Sequence, residues 1–354
     1  MISRKQVIQQ MTARVRALLE QDSLPPWRRP WKTGYGSGAP YNPVTGRQYH
    51  GMNSFDLALS AALTGYDDPR WIGYRQAAQN GWQVRAGEHG TSIYLPVTVR
   101  ADKNETESSP DAPSGLPAGE GSEKKRSFLL FKVVKVFNAA QIDGIPTLVP
   151  AVPGDAQAND AMQSARQSRV IEAVASVMGV SMKESPQDRA FYHVPSDQII
   201  TPPRDAFLSD AHFESTRLHE LAHASGHPSR LARTYGKTFG DPEYAAEEVV
   251  AEITAWILSL EWGISFTGEN PEDASLQDGQ FALYAATWAK RINTEDGLEH
   301  AVSQALKATQ YLGQQHANAV ATGLIEEMPE LRADFEPRAP AGPAEEDLPA
   351  LTPH

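Results

Sequence analysis

The stretch His219-Glu220-Leu221-Ala222-His223 decides how this 354-residue chain is read. Two histidines four apart leave a helix on the same face, with Cβ atoms about 5–6 Å apart, so both imidazoles can reach one ion. Zn²⁺ takes such a pair at about 2.0–2.1 Å per nitrogen and then needs a further protein ligand and a water. Glu220, directly after the first histidine, stands where a metallopeptidase keeps its general base. The five residues alone are a weak pattern, and such a motif can also persist in a structural or inactive site. The third ligand therefore decides the matter.

Downstream, two candidates compete for that place. Ala245 to Ile253 opens a second helix that continues through Trp256 and Leu260. Glu248 and Glu252 share one face of it, while Val249, Ile253, Trp256, Ile257 and Leu260 can fill the apolar face. This arrangement lets Glu248 bind the metal and lets Glu252 accept the other ring N–H of a ligating histidine, fixing its tautomer. A Glu-Glu-x-x-x-Glu run by itself is ordinarily a solvated helix face; only the upstream histidines give it meaning. The rival is His227. The run from His219 to Gly226 matches the opening of the metzincin signature, but the histidine that signature needs three residues later is Ser229 here. Gly226 also reads as the end of the first helix, which leaves His227 beyond it. Glu248 is the preferred third ligand, and zinc or another divalent metal the expected cofactor.

Composition narrows the chemistry further. Cysteine is absent, so there is no disulfide framework, thiolate ligand or cysteine nucleophile. The amino terminus reads as a charged amphipathic helix with Val7, Met11, Val15 and Leu18 on one face. It carries no signal-peptide core, and no uncharged run reaches the length of a membrane span, so a cytoplasmic protein without a membrane partner is expected. The net charge of −12 is unevenly placed: residues 1–100 carry twelve Lys/Arg against six Asp/Glu, leaving 20 against 38 for the remainder. That asymmetry points to two functions on one chain, the basic part suited to a polyanion.

The chain divides accordingly. Residues 101–126 are rich in Ser, Pro, Gly and charge and read as a flexible insertion. Strand-like runs on either side, Ser92 to Val99 and Phe128 to Phe137, are expected to pair across it. The expected layout is a first domain over 1–148, a linker over 149–159, a second domain over 160–325 and a disordered tail over 335–354. Each domain is long enough to bury its own core. The second reads as mainly helical, with helices near 160–178, 209–225, 243–262, 277–291 and 296–323, and a hairpin formed by Phe191 to Val194 and Gln198 to Thr201. The fold class is α+β. An edge strand near the metal in such a layout often pairs with extended substrate backbone.

In the first domain aromatics and cations interleave. Four of the seven tryptophans, Trp27, Trp31, Trp71 and Trp82, fall before residue 83. Rings that stack on unpaired bases, for about 1–3 kcal/mol each, and cations that follow phosphates make a single-stranded nucleic-acid groove. Trp71 and Trp82, taken singly, are as readily core residues. The Trp27-Arg28-Arg29-Pro30-Trp31-Lys32 segment is kept from regular helix by its prolines and has cations between its rings.

At this point the chain resembles a known family. Leu24 to Trp27, Pro40 to Asn53, Pro69 to Trp71, Gly81 to Gly90 and Val136 to Gly144 are similar to the amino-terminal domain of ArdC antirestriction proteins, shared with plasmid TraC primases. His219 to His223, Gly226 to Leu231 and Glu247 to Glu252 resemble the zincin-like, gluzincin or SprT-like, metallopeptidase domain of the same proteins. The resemblance spans about residues 5–323; the insertion and the tail depart from it without touching a motif. It implies an α/β domain that binds single-stranded DNA, followed by a mainly helical zincin-like domain. The whole would protect incoming conjugative plasmid DNA from host restriction. Candidate DNA contacts are Trp27, Arg28, Arg29, Trp31, Lys32, Tyr41, Arg47, Tyr49, Asn53, Trp71, Arg75 and Arg85. Two functions remain open. One is a metallopeptidase with Glu220 as base, acting on a DNA-bound protein or a restriction enzyme, with Tyr284 as a weak candidate to assist at the carbonyl. The other is a non-catalytic occluding protein whose metal site is structural.

Overall fold

The computed structural model describes residues 1–21, 39–100, 127–148, 156–207, 209–235, 242–264 and 295–326. The segment 27–32, the insertion 101–126, the helix expected near 277–291 with Tyr284, and the tail lie outside the described residues.

Helix α1 (Arg4–Gln21) is followed by α2 (Met52–Thr64), β1 (Trp71–Gly73), α3 (Tyr74–Gln79), β2 (Gln83–Val84), β3 (Thr91–Arg100), β4 (Ser127–Asn138) and β5 (Ile142–Asp143). The strands flanking the insertion pair antiparallel, from Thr91 with Val136 out to Arg100 with Ser127, as their alternating β-branched runs anticipate. The sheet order β1-β4-β3 leaves β3 at an edge, which is where Pro96, lacking a backbone donor, can be accommodated. Tyr41 bridges through its backbone to Gln48 and Arg70, and β2 pairs with β5.

The second half contains α4 (Ala156–Met178), β6 (Ser181–Glu184), β7 (Phe191–His193), β8 (Gln198–Thr201), α5 (Asp210–Ala224), α6 (Pro242–Trp262) and α7 (Glu295–Ala321). Helix α4 begins inside the stretch read as a linker, because nothing after Pro153-Gly154 interrupts Ala156-Gln157-Ala158-Asn159. The hairpin is present: β7 runs antiparallel to β8, and the turn closes on Asp197 in the left-handed region at φ 50°. Strand β6, which has no alternating pattern to betray it, adds to β8 in parallel and makes β7 the other edge.

The largest hydrophobic cluster belongs to both halves. Val7, Met11, Val15 and Leu18 of α1 and Phe55 and Leu59 of α2 meet Val249, Ile253, Trp256 and Ile257 of α6 and Leu298 and Val302 of α7. Phe55 stands edge-on to Trp256 with centroids 5.6 Å apart, an arrangement aromatic pairs favour. The carboxylate of Glu261 accepts the Gly51 backbone N–H at 2.6 Å across the same boundary. The apolar stripe of α1 is thus buried against the metal-bearing half as well as its own. A second cluster, with Ile171, Val174, Leu218, Leu221 and Leu258, fixes α5 between α4 and α6.

Candidate metal centre

Helix α5 starts at a side-chain cap, Ser209, whose Oγ accepts the His212 N–H at 3.4 Å. Leu218, Leu221, Ala222 and Ala224 are fully buried, so the rotation of the helix is set by packing and the remaining face carries His219 and His223. Helix α6 is buried almost all round, through Val249, Val250, Ala251, Ile253, Trp256, Ile257 and Leu258. On such a helix Glu247 and Glu252, 6% and 5% exposed, must find partners, because an unpaired buried carboxylate is costly.

The partners are the two imidazoles. Nε2 of His219 and Nε2 of His223 lie 3.0 Å apart. Glu248 places Oε2 at 3.4 Å from the first and Oε1 at 3.6 Å from the second. Ligand atoms bound to a tetrahedral cation at about 2.0–2.1 Å are about 3.3–3.4 Å apart, so the two imidazoles and the carboxylate stand at a spacing one cation can span. Among the described residues this is the cluster of three such groups that could hold a metal ion, all within 4.8 Å of one another. The outward nitrogens are also engaged: Nδ1 of His219 lies 3.5 Å from Glu252, and Nδ1 of His223 lies 3.1 Å from Glu247. Each Nε2 is thereby left to face the cluster. Burial opposes charge on His223 but Glu248 and Glu247 outweigh it, raising the imidazole well above its ordinary value. Burial likewise works against Glu248, and the histidines overcome it and hold its carboxyl well below the usual range.

Glu220, 7% exposed, sits beside this cluster, and the Tyr192 backbone on β7, the strand that packs against α5, favours its charged form. Its carboxyl is pushed up, first by burial and further by the neighbouring Glu248, against the pull of both histidines. A carboxyl pushed up from its ordinary value is suited to taking and returning a proton.

The structure brings together His219, Glu220, His223, Glu248 and Glu252, and leaves His227 out. That residue follows the helix, its Nδ1 2.7 Å from Ser229 Oγ. Spacing did not reveal Glu247 or Arg233. Arg233 grips Glu247 with Nε to Oε2 at 2.8 Å and Nη2 to Oε1 at 2.7 Å from an irregular loop, where no periodicity operates. Glu247 could have been found by noting a second carboxylate on a helix with too little polar surface to solvate it.

The nucleic-acid candidates fare differently. Trp71 is 1% exposed in a cluster with Leu57, Ile93 and Val136, and this corrects its reading as a stacking ring. Asn53 is half-buried; its amide donates to Tyr94 O at 3.1 Å and accepts Tyr94 N–H at 2.7 Å. Tyr49 is half-buried and its hydroxyl donates to Trp71 O at 3.1 Å; Tyr41 is also half-buried. Arg85 is exposed but bonded to Glu88 at 2.9 Å and Ala140 O at 2.5 Å. Arg47 and Arg75 are exposed, and Tyr74, beside Arg75, is 53% exposed with its ring edge-on to Phe137 at 6.2 Å.

Comparison with known proteins follows the same division. Residues 5–137 match the N-terminal domain of anti-restriction factor ArdC, and residues 169–305 match a zincin-like metallopeptidase. Two Escherichia coli proteins named DNA primase TraC are 38% and 37% identical over 279 and 274 residues, 77% and 76% of this chain. The chain spans 24% and 17% of their length. The metal-free crystal structure of the antirestriction protein ArdC from plasmid R388 is similar at TM-score 0.55 and 28% identity, covering 88% of this chain and 98% of that one. Its Mn(II)-bound structure is similar at TM-score 0.53 and 30% identity with the same coverage. With both domain types in one chain, and 98% of an ArdC protein covered at 30% identity, this chain belongs to the ArdC family of antirestriction proteins.

Proposed function

We propose that the chain binds single-stranded DNA with its amino-terminal half and hydrolyses peptide bonds in its carboxy-terminal half, protecting incoming plasmid DNA from restriction in the cytoplasm of the recipient cell. The observation that carries the hydrolytic reading is the approach of two imidazole nitrogens, 3.0 Å apart, and the Glu248 carboxylate, 3.4 and 3.6 Å from them, with Glu220 beside them. His219, His223 and Glu248 would hold a divalent cation, zinc or manganese; the Mn(II)-bound ArdC relative supports that class. Such a cation supplies Lewis acidity, which acidifies a water and polarises a carbonyl. Glu220, buried beside those ligands, takes the proton from the attacking water and returns it to the departing amine. Glu252 and Glu247 keep the two imidazoles turned inward. Strand β7, an edge of its sheet and adjacent to Glu220, offers backbone groups to an extended peptide.

Among the described residues, DNA contact falls to the exposed ring of Tyr74 with Arg75 and Arg47, and the segment Trp27 to Lys32 is proposed to join them. The TraC relatives, named as primases, support a nucleic-acid partner for this half. The substrate would be a protein attached to DNA or a restriction enzyme held near the strand by that tether.

The decisive experiment compares wild type with Glu220→Ala on proteins bound to single-stranded DNA, with metal content measured on both. Cleavage by wild type alone, at equal metal content, supports the reading. Equal cleavage, or none by either with metal and DNA present, removes it. A second reading, occlusion without catalysis, draws on the cluster's position between α5 and α6, where a cation would cross-link two buried helices. It prevails if Glu220→Ala still protects plasmids fully during conjugation.

A further inference from the structure

We infer that the loop leaving α5, residues 225–235, is a two-arginine latch: Arg233 positions His223 through Glu247, and Arg230 positions β7, the strand packed against α5 beside Glu220. The inference rests on the reading that His219, His223 and Glu248 hold a divalent cation.

Both arginines start from the same anchor. The last carbonyls of a helix lack intrahelical partners, and here Arg230 Nε bonds Ala224 O at 2.7 Å while Arg233 Nη2 bonds Ala222 O at 2.7 Å. From that anchor they reach in different directions. Arg233 Nη1 bonds Ser225 Oγ at 2.8 Å, and its remaining fork holds both oxygens of Glu247, the acceptor for His223 Nδ1. Arg230 holds Asp197 Oδ2 at 2.9 Å and the Tyr192 hydroxyl at 2.9 Å, and Tyr192 in turn donates to Asp197 Oδ1 at 2.6 Å. That same Tyr192 belongs to β7, the strand that packs against α5 beside Glu220. The two guanidinium side chains are 6% and 4% exposed.

The loop is built to put them there. A Cβ on Gly226 would lie 2.7 Å from the Tyr235 hydroxyl and 2.8 Å from the Arg233 guanidinium carbon, so a larger residue would push both side chains from their places. Ala232 takes φ 49°, and backbone bonds from Leu231 N to Ser225 O at 3.1 Å and Arg233 N to Gly226 O at 2.9 Å close the fold. A planar guanidinium with donors in a fixed fork transmits position in a way a lysine cannot. Arg230 and Arg233 are positioning residues: neither reaches the metal-facing atoms, though Arg233 also approaches the His223 carbonyl at 3.5 Å, and each acts on a different part of the site.

Different targets give different readouts, which a purely structural role would not. The test uses full-length protein freed of metal by chelation, titrated with Co²⁺ and followed by its visible d–d absorption. Arg233→Met and Glu247→Gln are expected to weaken Co²⁺ binding about 10–100-fold. Arg230→Met should leave Co²⁺ affinity within about 2-fold while hydrogen exchange at the Tyr192 amide rises about 10-fold, since local opening there loses its brace. Where Arg233→Met does not fold, Arg233→Lys keeps the charge without the fork and should still weaken Co²⁺. The double variant Arg233→Met with Glu247→Met removes both buried charges and should regain thermal stability but not Co²⁺ affinity. Recovery of Co²⁺ affinity in the double variant, or equal loss in Arg230→Met and Arg233→Met, overturns the latch. Failure of wild type to bind Co²⁺ overturns the metal reading itself, whereas wild-type binding with unaffected variants overturns the latch alone.

Discussion

Around His219, residues picked out by spacing end within 4.8 Å of one another, whereas around Trp71, residues picked out by composition end up holding the fold. The difference is one of direction. Two side chains four apart on a helix must leave on the same face, and the apolar positions of α5 and α6 leave only one face for His219, His223, Glu248 and Glu252. A tryptophan near an arginine carries no such constraint: the same ring can stack on a base or fill a core, and burial is the larger gain. Among the described aromatics of the amino-terminal half, it was the less conspicuous Tyr74 that stayed in solvent.

The largest effect expected from this contrast is on chemistry. Glu220→Gln keeps shape and removes the proton acceptor, so kcat on a cleaved protein should fall about 10²–10⁴-fold with metal content unchanged. Loss of metal along with activity would make Glu220 part of the scaffold instead and erase the distinction from Trp71. Next comes Trp71→Ala, expected to cost about 3–5 kcal/mol in urea unfolding while the folded fraction keeps its affinity for single-stranded DNA. A variant of unchanged stability that no longer binds DNA would break the comparison from the other side. Tyr74→Ala is the converse case: DNA affinity should drop by about 1–3 kcal/mol per lost stacking contact, with stability within about 0.5 kcal/mol of wild type. An anisotropy titration with an oligothymidylate reads the first, and thermal melting the second.

How much could be read without coordinates follows from the same reasoning. The helices carrying the motif, the paired strands on either side of the insertion and the β7–β8 hairpin all have a local period, and each was legible within a few residues. Strand β6 was not, because Ser181-Met182-Lys183-Glu184 is mostly exposed and exists through pairing with β8 rather than through any pattern of its own. Nor was the shared core: the stripe Val7, Met11, Val15 and Leu18 announces a buried face but not that α6 and α7 cover it. In the site, contacts along one helix or between two regular helices were legible. Arg230 and Arg233 were not, since they act from a loop across 33 and 14 residues, distances at which sequence spacing says nothing about direction.

The smallest expected effect asks whether the carboxy-terminal half depends on charge as well as on spacing. Hydrogen bonds from Arg230, helped by Tyr192, hold the Asp197 carboxyl below its usual range, although burial works against them. A carboxyl with a depressed folded value stabilises the fold above its unfolded value, about pH 3.9, and that contribution is lost as pH falls through the lower folded value. Asp197→Asn tolerates the left-handed backbone at φ 50° but keeps one of the two acceptor oxygens, so it removes the charge together with one accepted hydrogen bond. Wild type should therefore melt higher at neutral pH, by a margin on the order of 1 kcal/mol for a charge-assisted hydrogen bond that is partly exposed, and the two curves should converge below about pH 4. Curves that diverge on acidification would show that the hairpin is held by shape alone, in which case its alignment with Glu220 is as much a matter of packing as the burial of Trp71.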